Sequence, residues 1–380
     1  MKKILVFIDW YVPGYKAGGP IRSMANIVDH LKDKYEFLIV TRNTDYLESK
    51  PYDNITPDSW MNLSENQKVI YLSDKNITAR KIKQIIRNTE FDLAYINGVY
   101  SFYFSVLPLI LLRYFSRKKA IVAPRGMFSA QGLGVKSLKK KAFVMFCRLV
   151  RAYRKSIIHV TSSAEYSDIQ RLNLKPIQLF QVTNLPPAAS PVKEMGTGKT
   201  PRELKLVSIA RISPEKNTLF ALQCLKNYPF KGIIQFDLFG SIYNKSYWEK
   251  CKDVIDSLPE NISVNYRGEL DNSMVTSTLS NYHFLFLPSM GENFGHSILE
   301  SFLAGCPVII STKTPWQNIE NENVGWGIDL DKPELFAEKI QLAMDLEAGD
   351  YSSMSESSRN YAIAKTNLEE TKLAYCKLFG

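Results

Sequence analysis

Short apolar runs alternate along this chain with segments whose apolar positions recur every three or four residues. In the first half, Lys3–Asp9, Glu36–Thr41, Asp92–Asn97, Ala120–Pro124, Ile157–Thr161 and Gln178–Val182 read as strands. Helical spacing covers the regions near 20–32, 76–88, 101–115, 136–154 and 163–172. Strands separated by helices imply βαβ units and a mainly parallel sheet, because parallel neighbours need a long crossover. The pattern breaks from Asn184 to Pro201, where four prolines, two glycines and three hydroxyl residues mark a linker. It then resumes with strands at Leu204–Ala210, Ile233–Phe239, Ser263–Tyr266, Phe284–Pro288 and Val308–Ser311. The helical segments of this half lie near 217–227, 246–257, 272–281, 295–305 and 332–346, followed by 353–365 and 367–378. The expected class is α/β, with two doubly wound domains: 1–183, a linker at 184–203, and 204–365. Such domains bind ligands at the carboxyl ends of their strands.

Composition adds little to this picture, and charge adds more. The 380 residues are 45% apolar and 23% charged, an ordinary globular balance. Residues 1–185 hold 29 Lys/Arg and 14 Asp/Glu, a net of +15, while 186–380 hold 19 and 24, a net of −5. From Leu93 to Ala164 there are 13 basic residues and no acidic one. Two domains with different partners are implied. The five cysteines form no C-x-x-C pair and suit neither zinc nor a disulfide framework, so free thiols in a reducing cytosol are expected. The opening apolar run is too short for a signal-peptide core. Leu93 to Leu112 is uncharged over a membrane-spanning length, but Asn97, Gly98, Ser101, Ser105 and Pro108 interrupt it; a buried strand–loop–helix is expected.

Two segments carry candidate chemistry. In Arg211-Ile212-Ser213-Pro214-Glu215-Lys216-Asn217, Ser213 can cap a following helix and Pro214 fits its first turn. Arg211 and Lys216 then stand at a strand end beside a helix N-terminus, a setting for a diphosphate; two solvated surface cations are the plain alternative. In Gly291-Glu292-Asn293-Phe294-Gly295-His296, continuing to Glu300, a strand ends, a glycine-containing loop follows and a helix begins. Carboxylates there can accept from ribose hydroxyls, and loop N–H groups can take a phosphate. A capping Glu and a solvated helix Glu are the plain alternative.

Taken together, Arg211…Pro214-Glu215-Lys216-Asn217 and Glu292-x7-Glu300, continuing to Ala304-Gly305-Cys306-Pro307-Val308, resemble the retaining GT-B glycosyltransferases of family 4, of bacterial surface-polysaccharide type. Gly18-Gly19, Pro124-Arg125-Gly126-Met127 and His159-Val160-Thr161-Ser162 before Glu165 agree with it, so the likeness covers nearly the whole chain. The resemblance implies two Rossmann-like domains facing across a cleft, an acceptor side and a donor side, with a C-terminal helix near 366–380 returning to the first domain. It implies that Arg211 and Lys216 bind the diphosphate of a nucleotide-diphosphate sugar and neutralise the leaving group. Glu300 would hold the ribose, and Glu292 would lie against the sugar. The amides of Asn293, Phe294 and Gly295 would lie near the β-phosphate, and Gly18 and Gly19 would let the backbone approach it. Arg125 and His296 would contact sugar, acceptor or phosphate. Many relatives carry a His where this chain has Asn97; an Asn can bond a sugar hydroxyl but is no general base.

The implied reaction transfers a sugar with retained configuration to a hydroxyl of a saccharide, expected to be lipid-linked, in polysaccharide or O-antigen-type biosynthesis. No cofactor and no metal is expected, because the cations would neutralise the diphosphate themselves; Asp329-Leu330-Asp331 reads as a turn and helix cap. In Lys136 to Lys155, Ala142, Met145, Phe146, Leu149 and Tyr153 share one helical face, expected to pack on the sheet. Lys136, Lys140, Arg148, Arg151, Arg154 and Lys155 cover the other side and suit an anionic membrane surface, which makes the expected location cytoplasmic and peripheral on the inner face. The rival readings are a GT-B-shaped epimerase or phosphorylase, a catalytically silent relative, and a nucleic-acid-binding protein. The last explains the basic half but not the Glu292/Glu300 and Arg211/Lys216 sets, so no nucleic-acid partner is expected.

Overall fold

The computed structural model describes residues 1–116, 118–128, 137–188 and 198–380. The chain divides into two compact units, 1–188 with 368–380, and 189–367.

The first unit is built on an eight-stranded sheet. Its strands are β1 (Lys2–Ile8), β2 (Tyr35–Arg42), β3 (Trp60–Ser64), β4 (Gln67–Leu72), β5 (Leu93–Asn97), β6 (Lys119–Ala123), β7 (Ser156–Val160) and β8 (Gln178–Gln181). The order is β3-β4-β2-β1-β5-β6-β7-β8, with only the edge strand β3 antiparallel, against β4. The helices are α1 (Gly19–Leu31), α2 (Ala79–Asn88), α3 (Leu107–Phe115), α4 (Ser137–Leu149) and α5 (Ser163–Arg171), joined by the C-terminal α12 (Leu368–Phe379). Strands β1, β5 and β6 are buried on both faces, which is why they read as continuous apolar runs. Tyr375, Leu378 and Phe379 of α12 lie in the same core as Ile4, Val6 and Phe37 of the sheet, so the last helix closes the first unit.

The second unit has six parallel strands: β9 (Glu203–Ile209), β10 (Ile233–Phe239), β11 (Ile262–Gly268), β12 (Phe284–Leu287), β13 (Val308–Ser311) and β14 (Gly325–Ile328). Its helices are α6 (Thr218–Lys226), α7 (Lys245–Ile255), α8 (Val275–Leu279), α9 (His296–Leu303), α10 (Pro333–Asp345) and α11 (Ala348–Thr366). The order β11-β10-β9-β12-β13-β14 is the doubly wound 3-2-1-4-5-6 arrangement. Chain direction across the sheet reverses between β9 and β12 here, and between β1 and β5 in the first unit. In each sheet that reversal opens a crevice beyond the strand ends.

No helix among the described residues is long and apolar enough to cross a membrane. Cys147, Cys224, Cys251 and Cys306 are buried free thiols, and burial pushes them up to about 11, 12, 11 and 12. They are held as thiols, unsuited to nucleophilic work.

Candidate active site

The second unit's reversal point gathers the two motifs. Parallel pairing sets Leu285 of β12 beside Val207 of β9, so the loops after both strands emerge side by side. After β9 the chain turns through one 3₁₀ turn, Pro214–Lys216, and then through Asn217 at φ 60° before α6 begins. The loop after β12 is tied to that turn by the Met290 N–H, which donates to the Glu215 carbonyl at 2.9 Å. It is tied to the loop after β13 by the Glu292 N–H, which donates to the Lys313 carbonyl at 3.2 Å. Ser311 donates through Oγ to the Ser289 carbonyl at 2.5 Å and holds the base of the same loop.

These ties bring two charges together. Lys216 Nζ donates to Glu292 Oε1 at 2.6 Å, and both side chains are largely buried. Arg211 stands to one side with its guanidinium 5.4 Å from the centroid of Tyr243, a residue beyond β10. Beneath the loop, the Oγ atoms of Ser213 and Ser289 are buried and have no protein partner. Ser213 occupies the cap position with extended backbone but makes no side-chain cap bond. The expected cap is therefore absent: the intervening 3₁₀ turn and the left-handed Asn217 place the start of α6 four residues further on.

Gly295 opens α9 at φ 78°, a left-handed conformation that glycine adopts without strain. An added Cβ would also lie 2.9 Å from Ile298 Cδ1 and 3.2 Å from Trp316 Nε1. Trp316 donates through Nε1 to the Phe294 carbonyl at 2.7 Å and so fixes the segment entering the helix. His296 is the first residue of α9, and its ring meets Phe294 edge-on at 4.9 Å. Glu300, in the second turn of α9, is only 4% exposed. The first N–H groups of α9 have no partner inside the helix. Lys216, held against the loop that leads into this helix start, makes with it a setting suited to an anion.

The first unit's reversal point is also polar. Gly18 takes φ 76° before α1, and an added Cβ there would meet nothing within 4 Å; conformation, not crowding, calls for glycine. Gly19 is the first residue of α1. Asn97, at the end of β5, donates through Nδ2 to the Pro20 carbonyl at 3.3 Å. Its Oδ1 accepts from Arg125 Nε at 2.7 Å. Arg125 spends its other nitrogens on Asn184 Oδ1 at 2.7 Å and Tyr95 Oη at 2.8 Å, and is 9% exposed. The expectation that Arg125 meets a sugar is not what this geometry provides: the guanidinium is turned inward and braces β5, β6 and the segment at Asn184. Glu165 completes the brace. Its carboxylate accepts from the Gly126 N–H at 2.6 Å and from the N–H and Oγ1 of Thr161 at 2.8 and 2.9 Å.

Behind Arg125, His159 is buried and satisfied on both ring nitrogens, bonded to Tyr95 Oη at 2.7 Å and to the Val182 carbonyl at 3.0 Å. Burial, and then the Arg125 charge, pull it down to about 3, so the ring is neutral.

Sequence reasoning missed the charged group at this end. Asp9, just past β1, accepts from Ser101 Oγ at 2.7 Å and pairs with Arg42 at 3.4 Å. Burial pushes the Asp9 carboxyl up, against the opposing effects of Ser101 and Arg42. The Arg42 guanidinium also lies over the rings of Trp10 and Phe104, at 5.6 and 5.1 Å. An acidic residue directly after the run Ile4–Ile8 was the available signal.

Residues 194–362 match the family model described as glycosyl transferases group 1. The chain carries a glycosyltransferase domain. Sucrose-phosphate synthase from Thermosynechococcus elongatus has the same fold, with a TM-score of 0.73 at 16% identity over 100% of this chain and 98% of that one. HepE of Anabaena, solved with UDP and glucose, gives 0.71 at 14% identity over 100% and 99%. WaaG, described as a glycosyltransferase involved in lipopolysaccharide biosynthesis, gives 0.67 at 13% identity over 99% of each. No protein of curated function matches the sequence. The fold of this glycosyltransferase is thus GT-B, two parallel-sheet Rossmann-like domains.

The surface assigned to membrane contact is arranged differently from the sequence reading. Lys136 lies outside the described residues. The inward face of α4 is Val144 and Cys147 with half-buried Lys140 and Phe143, following the 140-143-144-147 helical stripe. Lys140 is turned in, its Nζ 5.5 Å from the Tyr100 ring centroid. Met145 and Leu149, expected to pack inward, are 68% and 81% exposed; Ala142 and Phe146 are also exposed, and Tyr153 alone of that set is buried. Arg148, Arg151, Arg154 and Lys155 are exposed. In Asp329-Leu330-Asp331, Asp329 Oδ1 accepts from the Asp331 N–H at 3.2 Å, a turn before α10. No group of three or more His, Cys, Asp or Glu among the described residues could hold a metal ion.

Proposed function

We propose that this glycosyltransferase moves a sugar from a nucleotide-diphosphate sugar to a hydroxyl of a saccharide acceptor, with retained anomeric configuration and without a metal. The observation that carries the reading is the 2.6 Å Lys216–Glu292 pair at the second unit's reversal point, with Arg211 on the neighbouring strand end. A donor diphosphate would take Lys216 from Glu292 and bring Arg211 onto its oxygens. Glu292, released beside the sugar, would then be free to accept from its hydroxyls. Leaving-group charge would be met by fixed cations and by the start of α9, with Asn293, Phe294 and Gly295 at the β-phosphate and Glu300 on the ribose. The second unit is read as the donor side and the first as the acceptor side.

The acceptor is read as lipid-linked, in polysaccharide or O-antigen-type biosynthesis, with the enzyme held at an anionic membrane surface. The support is the exposed Met145, Phe146 and Leu149 among Arg148, Arg151 and Arg154 on the first unit. Near such a surface each cation contributes about 1 kcal/mol.

A thermal-shift screen against UDP, GDP, ADP and their sugars tests the donor. One nucleotide should raise the melting temperature, and Arg211→Ala and Glu300→Ala should each abolish the rise. Ligand at about 100 times its Kd adds about 2.7 kcal/mol. No shift with any nucleotide would count against the reading. An inverted product anomer by NMR would overturn retention, and activity abolished by EDTA would overturn metal independence.

A further inference from the structure

The first unit carries an apolar cavity that the reaction at the strand ends does not use. It lies between α3 and α4, has a volume of about 180 Å³, and is lined by Val106, Leu109, Ile110, Phe143, Phe146 and Val150 among others. Beside it runs a groove of about 720 Å³ that shares Leu109, Arg113, Tyr114 and Ala152 with the cavity and adds Lys118, Lys119 and Lys155. Among the described residues, no acidic side chain lines either space. Arg113 braces the junction, donating to the carbonyls of Val150 and Arg151 at 2.9 and 2.6 Å. Exposed Tyr114, Phe115 and Ile177 rim the groove.

We propose that this pair of spaces binds a bilayer lipid bearing a phosphate or diphosphate on a single hydrocarbon chain, with the anionic head in the Lys118/Lys119/Lys155 groove and a stretch of chain in the cavity. Charge and polarity select the ligand class. A soluble phosphate would leave the apolar cavity empty, and a neutral lipid would leave the charges of Lys118 and Lys155 unanswered. Size selects a single chain. An apolar cavity of about 150 Å³ stays dry and admits a benzene-sized molecule, so this one accommodates a chain segment of roughly six carbons. Lys119 adds a further sign of desolvation in the groove: it donates to the Leu378 carbonyl at 3.0 Å, and burial lowers its pKa. The identity of the natural occupant rests on the lipid-linked acceptor reading; the binding itself does not.

The test is calorimetry of the full chain with alkyl phosphates of two, four, six, eight and twelve carbons, below their micelle concentrations. Affinity should rise about fourfold per methylene and then level off once the cavity is filled. Dodecyl maltoside should bind at least tenfold more weakly than dodecyl phosphate, and inorganic phosphate should give no heat. Ile110→Trp, which fills the cavity, and the double change Lys118→Glu/Lys155→Glu, on the exposed rim, should each weaken dodecyl phosphate at least tenfold. Affinity independent of chain length, equal affinity for the neutral detergent, or unchanged binding to both variants would overturn the proposal. Should Ile110→Trp fail to fold, the chain-length series and the lysine variant still decide. Flotation with phosphatidylglycerol vesicles separates this site from the membrane reading. Flotation without alkyl-phosphate binding overturns the cavity site alone. Alkyl-phosphate binding without flotation supports the site and overturns the membrane reading.

Discussion

Lys216 Nζ and Glu292 Oε1 are 2.6 Å apart, so the cation from the loop after β9 and the carboxylate from the loop after β12 neutralise each other. A diphosphate bound as proposed must break this pair. Glu292→Gln is therefore expected to tighten nucleoside-diphosphate binding, by up to about tenfold, while sugar transfer falls. Titration calorimetry and a turnover assay on the same preparation check both halves. Weaker diphosphate binding in this variant would show that Glu292 helps to hold the anion.

Removal of a cation should act on the transition state more than on the ground state. Lys216→Met and Arg211→Ala are each expected to lower kcat about 10²–10³-fold, as the loss of one preorganised donor does elsewhere. Arg211→Lys should recover only part of this, because a point charge cannot span two phosphate oxygens as a guanidinium does. Steady-state kinetics at saturating donor distinguish the two effects; a change confined to KM would assign these residues to binding alone.

Arg125 predicts stability before activity. Its guanidinium makes three bonds of 2.7 to 2.8 Å to neutral oxygens inside the first unit. Arg125→Leu leaves Asn97, Asn184 and Tyr95 short of a donor and should cost at least about 3 kcal/mol. Urea unfolding followed by circular dichroism measures it. A variant of native stability with impaired transfer would instead place Arg125 against a substrate.

The buried His159 predicts a pH dependence. Its pKa is about 3 in the folded chain, below the ordinary 6.5 of an exposed imidazole. Between those values the unfolded chain binds the proton and the folded chain does not, so stability is lost as pH falls from about 6.5 towards 3, at up to ~1.4 kcal/mol per pH unit. His283, lowered to about 4 chiefly by burial, adds to the same loss. His159→Gln should therefore flatten, without abolishing, the difference between urea midpoints at pH 5 and pH 7. An unaltered slope would mean that His159 is protonated or exposed in the fold.

How much of this was legible in the sequence varied with the physical cause. Strands β1, β5 and β12 were plain because strands buried on both faces are written as nearly unbroken apolar runs. The edge strand β3 was not, since most of Trp60–Ser64 is exposed and lacks alternation. Strand β14 escaped for the opposite reason. Gly325 and Gly327 interrupt its apolar run, yet Gly325 sits at φ 132° where an added Cβ would lie 2.0 Å from the Val308 carbonyl oxygen. Glycine there permits a close strand approach. The placement of Arg211, Lys216 and Glu292 on neighbouring strand-end loops was legible, because the alternation of strands and helices gives it. The Lys216–Glu292 contact was hidden, because it depends on the cross-loop bonds at Met290 and Glu292. The inward face of α4 was misassigned by two residues, about 200° around the helix, since apolar residues occur on both sides of that helix.

The placement of α12 has a consequence for synthesis. Phe379 packs against Tyr35, Phe37 and Tyr95 with ring centroids 5.3, 6.4 and 5.9 Å apart. Those partners leave the ribosome early, and Phe379 leaves only after residues 189–367 have been made. A nascent chain therefore carries an unfinished first unit, one flank of its apolar core uncovered, throughout translation of the second. The unit that begins first is the one completed last, and the second unit can be a settled body before the first has its final helix.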